Sequence, residues 1–498
     1  MMLLVACVVL LAFYLIYILV SEYLTSKYLP PGPFPLPIIG NLHLLSSKPY
    51  LDFYELSKTY GPVFRLQMGS NRVIVINDYK NAKEAMTQKG IDFAGRPPHY
   101  VGSIFSRGGK GVGFQTYSDM VKLQRKVVMK TLKELERKSE LEDIVSAETR
   151  ELICRIGNTA GNFSETSTIR VDSALAMSNI VISVIFGERF SEGDSDFLKL
   201  MDAITVFQES LAATSFLDTF PFLKYFPFDI INRVKRACIV RDKILDKKYE
   251  QQKNAYRKDA KTHSTRNLAN ALLEEADAKH LHGQVDMSDD HIMMTMSDAL
   301  IAGSETPATN LLWVMYYLIK YPDVQKRIQR ELDEVIGRNR APKWSERQDL
   351  PYLQGFLTEA LRYSSAMPFA IPHQTVRNTS LGPYQIPEGT TVIMNLWAIH
   401  RDPEMWQSPM EFKPERFLDE NGHFCVDLGA GMLAFGLGHR SCPGETLAKM
   451  EAFLVSSQIL QKFNLSQVEG EVLPEPTESS FGIVMRPAPF NVCIRPRN

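Results

Sequence analysis

The sequence predicts a mainly α-helical protein with a small β part, preceded by one membrane-spanning segment. The first 21 residues carry no charged side chain, which is typical of a transmembrane helix. Most of the remaining chain shows helical hydrophobic periodicity, whereas the alternating pattern of β-strands is confined to a few short stretches. No shift in composition divides the rest of the 498 residues into two halves, so we expect one globular domain.

The apolar segment 1–21 is rich in Leu, Val, Ile and Tyr. At ~1.5 Å per residue it just spans a ~30 Å hydrocarbon layer. A cleaved signal peptide is the alternative, but its apolar stretch would be shorter and would end in small residues rather than in "SEYLTSKYL". Because Lys27, Lys48 and Lys58 all follow the segment, we expect a single-pass anchor in the endoplasmic reticulum membrane, with the body on the cytoplasmic side.

Residues 22–44 form the predicted linker, and residues 45–498 form the predicted globular domain. The linker contains "PPGPFPLPIIG", whose prolines make a stiff, extended connector. In the domain, "VFRLQMGSNRVIVIN" is two alternating runs around a Gly-Ser-Asn turn and predicts a β-hairpin. Further strands are expected within 383–394 and 481–495. Helical periodicity covers 121–153, 196–215, 234–256, 289–320, 323–336, 352–364 and 443–464.

Charge and cysteine usage exclude some classes of protein. The net charge is −1, which gives no support to nucleic-acid binding. The six cysteines contain no C-x-x-C pair and no zinc-finger spacing, which favours reduced thiols in a reducing compartment; they are Cys7, Cys154, Cys238, Cys425, Cys442 and Cys493.

The helix predicted over 289–320 has an unusually bare face. Small residues recur on it at spacings of three and four, and they are Ala299, Ala302, Gly303 and Thr306. Close helix packing is the simpler explanation of such a face. However, Pro307 offers no N–H to the Gly303 carbonyl and should open the helix locally. An opened strip could receive a flat ligand, and the adjacent Glu305 and Thr306 could pass a proton to it.

Two further motifs carry charge. Glu359 and Arg362 lie three apart on a predicted helix, a spacing that is usually a surface ion pair worth ~0.2–0.5 kcal/mol. Arg416 follows in the proline-marked segment "FKPERF". Because Arg can bind a carboxylate with two parallel hydrogen bonds, these three side chains could instead form a buried clamp that fixes a loop.

A cysteine also stands in a glycine-rich loop directly ahead of a predicted helix, in "FGLGHRSCPGETLAKMEAFL". This stretch matches the F-x-x-G-x-R-x-C-x-G signature of the cytochrome P450 family, the haem-thiolate monooxygenases. Four other family features occur in order: the proline-rich hinge, A-G-x-E-T at 302–306, E-x-x-R at 359–362 and P-E-R-F at 414–417. The chain therefore resembles a cytochrome P450 over essentially its whole length. The matched signature residues are Phe435, Gly438, Arg440, Cys442 and Gly444.

The resemblance implies the cytochrome P450 fold, an α-helical haem domain with a small β region, and haem b as cofactor. Cys442 would be the axial thiolate ligand of the iron, with its pKa lowered by the helix N-terminus. Phe435 would shield the sulfur, Gly438 would permit the tight turn, and Gly444 would let the helix approach the macrocycle.

The resemblance also implies contacts to the haem propionates from Arg440, Arg125 and His373, although His373 alone would be taken for an ordinary hydrogen-bonded histidine. Two positions depart from the family pattern. Val121 stands where many microsomal members have Trp, so one propionate should lean more on Arg125. Pro307 follows Thr306 where relatives often have Thr, Ser or Val, which puts the detailed proton path in doubt.

Oxygen activation implies O2 as co-substrate and two electrons, and no flavin-binding segment remains in the chain. We therefore expect NADPH to act through an external flavoprotein reductase, with cytochrome b5 as a further candidate partner. A stripe of lysines could form the docking patch, although a solvated helix face is the simpler interpretation. Its members are Lys122, Lys126, Lys130 and Lys133.

The segment from "RIQRELDEVIGRNRAPKW" to "AIPHQT" is similar to the animal microsomal group that includes aryl-hydrocarbon hydroxylases and steroid 17-hydroxylases. We expect a lipophilic substrate, and also contact with membrane lipid. Thr219 in "LDTFPF" weakens a stacking slot for planar aromatics, but a steroid, a planar xenobiotic and a fatty acid all remain open. The walls should be mainly apolar, with candidate residues Ala299, Ala302, Phe369, Ile371, Phe481 and Ile483.

Three alternatives to a reductase-dependent monooxygenase remain at this point. A haem-thiolate isomerase or dehydratase would need no external electrons, but it would more readily dispense with Thr306. A catalytically degenerate haem protein that binds lipophilic ligands is compatible with Val121 and Pro307. A cysteine-based structural module without haem is the third.

Overall fold

Helices make up most of the chain in the computed structural model, which describes residues 27–158, 163–191, 193–258, 267–282, 286–480 and 482–497. The predicted anchor and Phe481 lie outside the described residues. The mainly α prediction is confirmed. The helices are α1 (Pro49–Tyr60), α2 (Tyr79–Lys83), α3 (Tyr100–Phe105), α4 (Asp119–Arg137), α5 (Glu140–Asn158), α6 (Thr166–Phe186), α7 (Ser195–Ala213), α8 (Ser215–Thr219), α9 (Asp229–Lys258), α10 (Leu268–His282), α11 (Asp289–Lys320), α12 (Pro322–Val335), α13 (Pro351–Ser364), α14 (Leu396–Ile399) and α15 (Glu445–Lys462).

The strands form small sheets at the edges of this helical body. One sheet has the order β1-β2-β7-β4, with β2 and β7 parallel and the other pairs antiparallel. A second has the order β3-β9-β8, and β5 pairs with β6. The strands are β1 (Val63–Met68), β2 (Asn71–Ile76), β3 (Phe163–Glu165), β4 (His373–Gln374), β5 (Thr379–Leu381), β6 (Tyr384–Ile386), β7 (Thr391–Met394), β8 (Phe463–Gln467) and β9 (Asn491–Pro496).

Several elements differ from the sequence prediction for identifiable reasons. The stretch predicted as one helix over 121–153 is two, α4 and α5, separated where Ser139 adopts a left-handed backbone with φ +63°. Helix α6 was not predicted because it is apolar on nearly all sides and has no amphipathic period. Within the described residues, its segment Thr168–Phe186 is long and apolar enough to span a membrane, but 67% of that window is buried in the protein, as in a core helix.

Contacts with the body of the protein begin before residue 45, the start of the domain predicted from the sequence. Part of the predicted linker is hydrogen-bonded to β1: Arg65 N donates to the Pro31 carbonyl at 2.8 Å, and Gly40 pairs with Met68. A side chain on Gly32 could not fit, because its Cβ would lie 2.1 Å from the Arg65 carbonyl oxygen. This segment therefore packs on the body instead of hanging free of it.

Helix α11 is the central element of the fold. Its second half packs in the main core with α13 and α15, and its first half packs in another apolar cluster with α6 and α10. The helix is continuous through Pro307, so the predicted opening is limited to the missing hydrogen bond to Gly303. Gly303 itself serves close helix packing, because a Cβ there would lie 2.5 Å from Val181 Cγ2 on α6.

Candidate functional site

The cysteine loop is held tightly ahead of α15. Cys442 N donates to the Phe435 carbonyl at 2.7 Å, and Gly444 is the residue that caps the helix. Gly436 and Gly438 have φ of +68° and +65°, a left-handed backbone that favours glycine. A Cβ on Gly438 would lie 1.8 Å from the Met86 carbonyl oxygen. The two glycines are thus required by the turn and by its close contact with the segment after α2.

The Cys442 side chain combines exposure with a desolvated position. The residue is exposed, yet burial among protein atoms raises the pKa of its thiol, and this outweighs the lowering by the Gly444 N–H and by Arg125. The Gly444 N–H at the helix N-terminus thus acts on this pKa in the expected direction, although burial outweighs it. The sulfur is therefore both accessible and surrounded by protein atoms, and a metal ion bound there would hold it as thiolate.

Three guanidinium groups gather beside this loop. Arg440 donates from Nε to the Ala94 carbonyl at 2.8 Å and also to the Val112 carbonyl, and Arg125 donates to the Ser441 carbonyl. Arg96 donates to the carbonyls of Ile371 and Pro372 at 2.8 and 2.9 Å. The sequence did not predict Arg96 as a site residue, because "AGRPP" contains only a single basic residue in a proline-marked loop.

The positive charge of these three arginines would be stabilised by an anion. Burial lowers the pKa of Arg96, with Arg440 and Arg125 adding to the effect, and burial with Arg125 lowers the pKa of Arg440 to about 10. In the ion pairs of the described residues none of the three arginines has a carboxylate partner. Repelling buried cations without a counter-charge are costly, and the two propionates of haem would supply the missing charge.

His373 lies beside the same arginines. Its Nδ1 donates to the Phe93 carbonyl at 2.8 Å, and burial lowers its pKa, with Arg96 contributing. The Nδ1 hydrogen bond fixes the ring orientation and leaves Nε2 as the nitrogen that could face a ligand. A bound propionate would favour the protonated imidazole, whose Nε2 could then donate to it. The propionate contact of His373 therefore stays a prediction.

The face of α11 that was predicted to be bare is only partly covered by the rest of the protein. Ala302 is exposed although the helix is otherwise largely buried, and Ala299 and Thr306 beside it are half-buried. The site therefore has two features that a flat, anionic cofactor needs. One is a helical face without bulky side chains, and the other is a desolvated thiol with nearby cations. The residues present fit haem b.

Glu305 is turned away from Thr306 into an ion-paired environment. Its Oε1 lies 2.8 Å from Arg486 Nε and 3.6 Å from an Arg170 nitrogen. The side chain is buried, with 8% of its surface exposed. The predicted proton donor thus lies within ion-pair distance of two arginines from distant parts of the chain.

The candidate pocket walls are brought together only in part. Ile483 packs with Phe105, Phe207 and Leu211, in a cluster that also includes Phe114 and Ile301 of α11. Phe369 is not brought to this cluster: its ring packs on Phe53 with the centroids 5.4 Å apart, near β1 and β2. Ile371 is half-buried and contributes its carbonyl to Arg96.

The charged motifs Glu359, Arg362 and Arg416 converge in the interior. Arg362 donates to both oxygens of Glu359, at 2.7 and 2.8 Å, and Arg416 Nε donates to Glu359 Oε1 at 3.0 Å. Arg362 also binds the carbonyls of His400 and Pro409. Neither Glu359 nor Arg362 is exposed. The three residues tie α13 to the irregular segment that precedes the cysteine loop.

Comparison with known proteins shows which family the chain resembles over its length. A family model described as cytochrome P450 matches residues 30–494. The chain is 36% identical to the steroid 17-alpha-hydroxylase/17,20 lyase of Ictalurus punctatus, over 99% of this chain and 95% of that protein. It is 33% identical to cytochrome P450 1A1 of Canis lupus familiaris, over 89% and 85% of the two chains. A solved structure of a zebra fish cytochrome P450 with progesterone superposes with a TM-score of 0.80 at 32% identity, covering 90% of this chain and 99% of that one.

Proposed function

The chain belongs to the cytochrome P450 family and is a haem-dependent monooxygenase, and we propose that it inserts one oxygen atom into a steroid. The resemblance drawn from the cysteine loop and its accompanying motifs is confirmed, as is the fold. The relatives named above include a steroid 17-alpha-hydroxylase/17,20 lyase, and one structural match contains progesterone. The observation that carries the proposal is the desolvated Cys442 thiol beside three arginines that have no counter-charge.

Haem bound at this site would supply the oxygen-activating iron, and electron donation from a thiolate ligand favours O–O cleavage. The chain's own residues hold and orient it. Cys442 Sγ would ligate the iron, and Arg96, Arg125 and Arg440 would bind the propionates. The small side chain of Ala302 would leave room for the macrocycle, and Phe435, whose ring lies 5.5 Å from Lys449 Nζ, would shield the sulfur.

Proton delivery would fall to Thr306, which is half-buried and stands one helical turn after the exposed Ala302. Glu305 is the adjacent acid, but its side chain is paired with Arg486 and Arg170. For Glu305 to relay a proton, its contact with Arg486 must first loosen. The structure therefore favours Thr306 with an ordered water as the immediate donor, and Glu305 as a group that reloads it.

Electrons would come from NADPH through an external flavoprotein reductase, with cytochrome b5 as a second donor. The lysine stripe on α4 supports a docking patch, because Lys122, Lys126, Lys130 and Lys133 are all exposed. Helix α4 also carries Arg125, which contacts the cysteine loop through Ser441. An acidic partner bound to this face would therefore approach the sulfur side of the site.

We place the protein on the endoplasmic reticulum membrane with its domain in the cytoplasm. Beyond the anchor predicted for residues 1–21, large apolar side chains are exposed on two neighbouring segments, among them Leu36, Ile38, Phe222, Tyr225 and Phe226. The hairpin of β1 and β2 connects these segments through Gly40–Met68 and Gly69–Thr219 contacts. Deleting residues 1–28 should release much of the protein from membranes with its haem spectrum intact; loss of haem would show that the segment belongs to the fold.

The proposed function is tested by turnover of the purified protein with reductase, NADPH and a panel of steroids, polycyclic aromatics and fatty acids. We expect a steroid product one oxygen atom heavier than its substrate, formed in proportion to NADPH consumed. Product formed without NADPH would indicate an isomerase or dehydratase. Ligand binding without any product would indicate a haem protein that has lost catalysis, and turnover of planar aromatics alone would overturn the steroid assignment.

A further inference from the structure

A carboxylate, Asp298, stands on the open face of α11, one helical turn before Ala302. Its Oδ2 accepts hydrogen bonds from Val112 N at 2.6 Å and from Gly113 N at 2.9 Å. Gly111 lies so close that a Cβ there would be 2.3 Å from Oδ2. The loop between α3 and α4 is thus folded over the Asp298 side chain. One of the two carboxylate oxygens, Oδ2, holds this loop in place through both hydrogen bonds.

The second oxygen is available. Oδ1 accepts no hydrogen bond from any residue in the described ranges, and it is not among the buried atoms without a partner. The residue is half-buried, although desolvation by the surrounding protein raises its pKa against the effect of the two loop amides and Arg241. This is the same combination of accessibility and desolvation as at Cys442, so Oδ1 is reachable by a ligand that lies along α11.

The surroundings of this oxygen are largely apolar. Phe114 follows Gly113 directly, and Ile301 is on the next turn of α11; both pack in the cluster with Phe105, Phe207 and Ile483. A polar group on a ligand that enters such a pocket must find a partner or lose hydrogen bonding altogether. An accessible carboxylate oxygen accepts a strong hydrogen bond from a donor such as a hydroxyl group.

We propose that Asp298 Oδ1 accepts a hydrogen bond from a hydroxyl group of the substrate, at the end remote from the carbon that is oxidised. The inference rests on the proposed function and narrows it from steroids to hydroxysteroids. Residues 298 and 306 are eight apart on a continuous helix, which is ~12 Å at 1.5 Å per residue. That span suits a fused four-ring skeleton lying along α11, with one end at Asp298 and the other near Thr306.

The same geometry selects against a ketone at that end. A ketone oxygen facing Asp298 would place two acceptors together, and neither would be satisfied. A site built to bind a hydroxyl discriminates strongly against an analogue that lacks the donor. The wild-type protein should therefore bind a 3-hydroxy steroid more tightly than its 3-keto counterpart by about ten- to a hundredfold, the range expected for one hydrogen bond to a charged group.

The test is Asp298→Asn in the haem-loaded protein. The amide oxygen of Asn can still accept from Val112 and Gly113, so the loop should stay in place, while the amide NH2 offers a donor where the carboxylate offered an acceptor. We expect the variant to reverse the preference, so that the 3-keto steroid binds more tightly than the 3-hydroxy steroid. Dissociation constants for the two matched ligands are measured by calorimetry and by the haem spectral shift.

Asp290→Asn is the matched control. Asp290 is also a carboxylate on α11 that anchors the same loop, through Arg107 at 2.8 Å, but it makes none of the contacts of Asp298. The Asp290→Asn variant should leave the ratio of the two dissociation constants unchanged. An equal change in both variants would show that loop anchoring alone sets the preference and would overturn the proposal.

Two further outcomes separate this inference from the function it rests on. If the wild-type protein binds and oxidises steroids but Asp298→Asn leaves the ratio unaltered, Asp298 does not contact the substrate and the steroid assignment stands. If the wild-type protein binds neither steroid while it oxidises another class of compound, both the steroid assignment and the role of Asp298 are wrong.

Discussion

The guanidinium of Arg362 and the carboxylate of Glu359 form a bidentate pair in which neither side chain is exposed. A buried ion pair can be nearly neutral for stability when it is intact, but removal of one partner leaves an uncompensated charge in the interior. Because Arg362 and Arg416 also bind carbonyls of the segment before the cysteine loop, such a charge would disturb the haem site directly.

Glu359→Ala or Arg362→Ala should therefore yield little or no haem-loaded protein, with a cost of ~3–5 kcal/mol. The measurement is the haem content and soluble yield after expression. Arg327→Ala is the control, because Arg327 forms an exposed pair with Glu415, each 50% accessible, and such pairs are worth ~0–1 kcal/mol. Normal haem content in either clamp variant would mean that the pair has no structural role.

Replacement of Cys442 by Ala should remove the thiolate-type spectrum of the reduced protein with carbon monoxide, because the iron would lose its sulfur ligand. Cys425→Ala serves as the control: this cysteine is half-buried and precedes the site in sequence, and its loss should leave the spectrum unchanged. A Cys442→Ala protein that kept the thiolate spectrum would show that another residue ligates the iron.

Arg96→Ala should weaken retention of haem. Arg96 is buried in a cluster with Arg125 and Arg440, and we assign it to a propionate. A hydrogen bond to a charged group is worth ~1.5–3 kcal/mol, so transfer of haem to an excess of an apo-haem acceptor should become about ten- to a hundredfold faster. Arg338→Ala, in an exposed pair with Asp333, should not change that rate. Equal transfer rates in wild type and Arg96→Ala would remove Arg96 from the haem site.

Thr306→Ala should bind haem and substrate but form product at a rate lower by about 10²–10⁴-fold, because proton delivery is lost. NADPH oxidation should continue, with the electrons released as peroxide. The helix is continuous through Pro307, so the loss cannot be assigned to its collapse. Thr306→Ser, which keeps the hydroxyl, should retain most coupling of NADPH to product. Unchanged coupling in the Ala variant would leave Glu305 or the substrate as proton source, and loss of substrate binding would make Thr306 a wall of the pocket.

Reversal of charge at Lys126, Lys130 and Lys133 together should raise the KM for reductase by roughly tenfold at low salt, and high salt should reduce the difference. Turnover driven by peroxide in place of reductase should be unaffected, since these side chains are exposed and peroxide needs no docked partner. The control carries three reversals at exposed lysines on other helices, Lys199, Lys247 and Lys326. An equal rise in KM for that control would indicate a general charge effect and no docking patch.

The sequence by itself determined the parts of this protein whose residues lie close together along the chain. The turn around Gly436 and Gly438 and the position of Cys442 ahead of α15 follow from backbone conformation. The pairing of Glu359 with Arg362 follows from their separation of three residues on one helix. The same is true of α11, whose predicted limits, 289–320, are those observed. Local propensity and periodicity are enough to place such features.

Only the tertiary structure decided which distant residues meet. Arg96 joins Arg125 and Arg440 from separate segments, and Phe369 packs on Phe53. Glu305 is held by Arg170 and Arg486, and Asp298 is covered by the loop at 111–113. None of these contacts has a spacing that a sequence pattern could reveal, because each depends on how helices and loops pack. Burial in that packed interior, which outweighs the helix N-terminus at Cys442, is likewise a property of the whole fold.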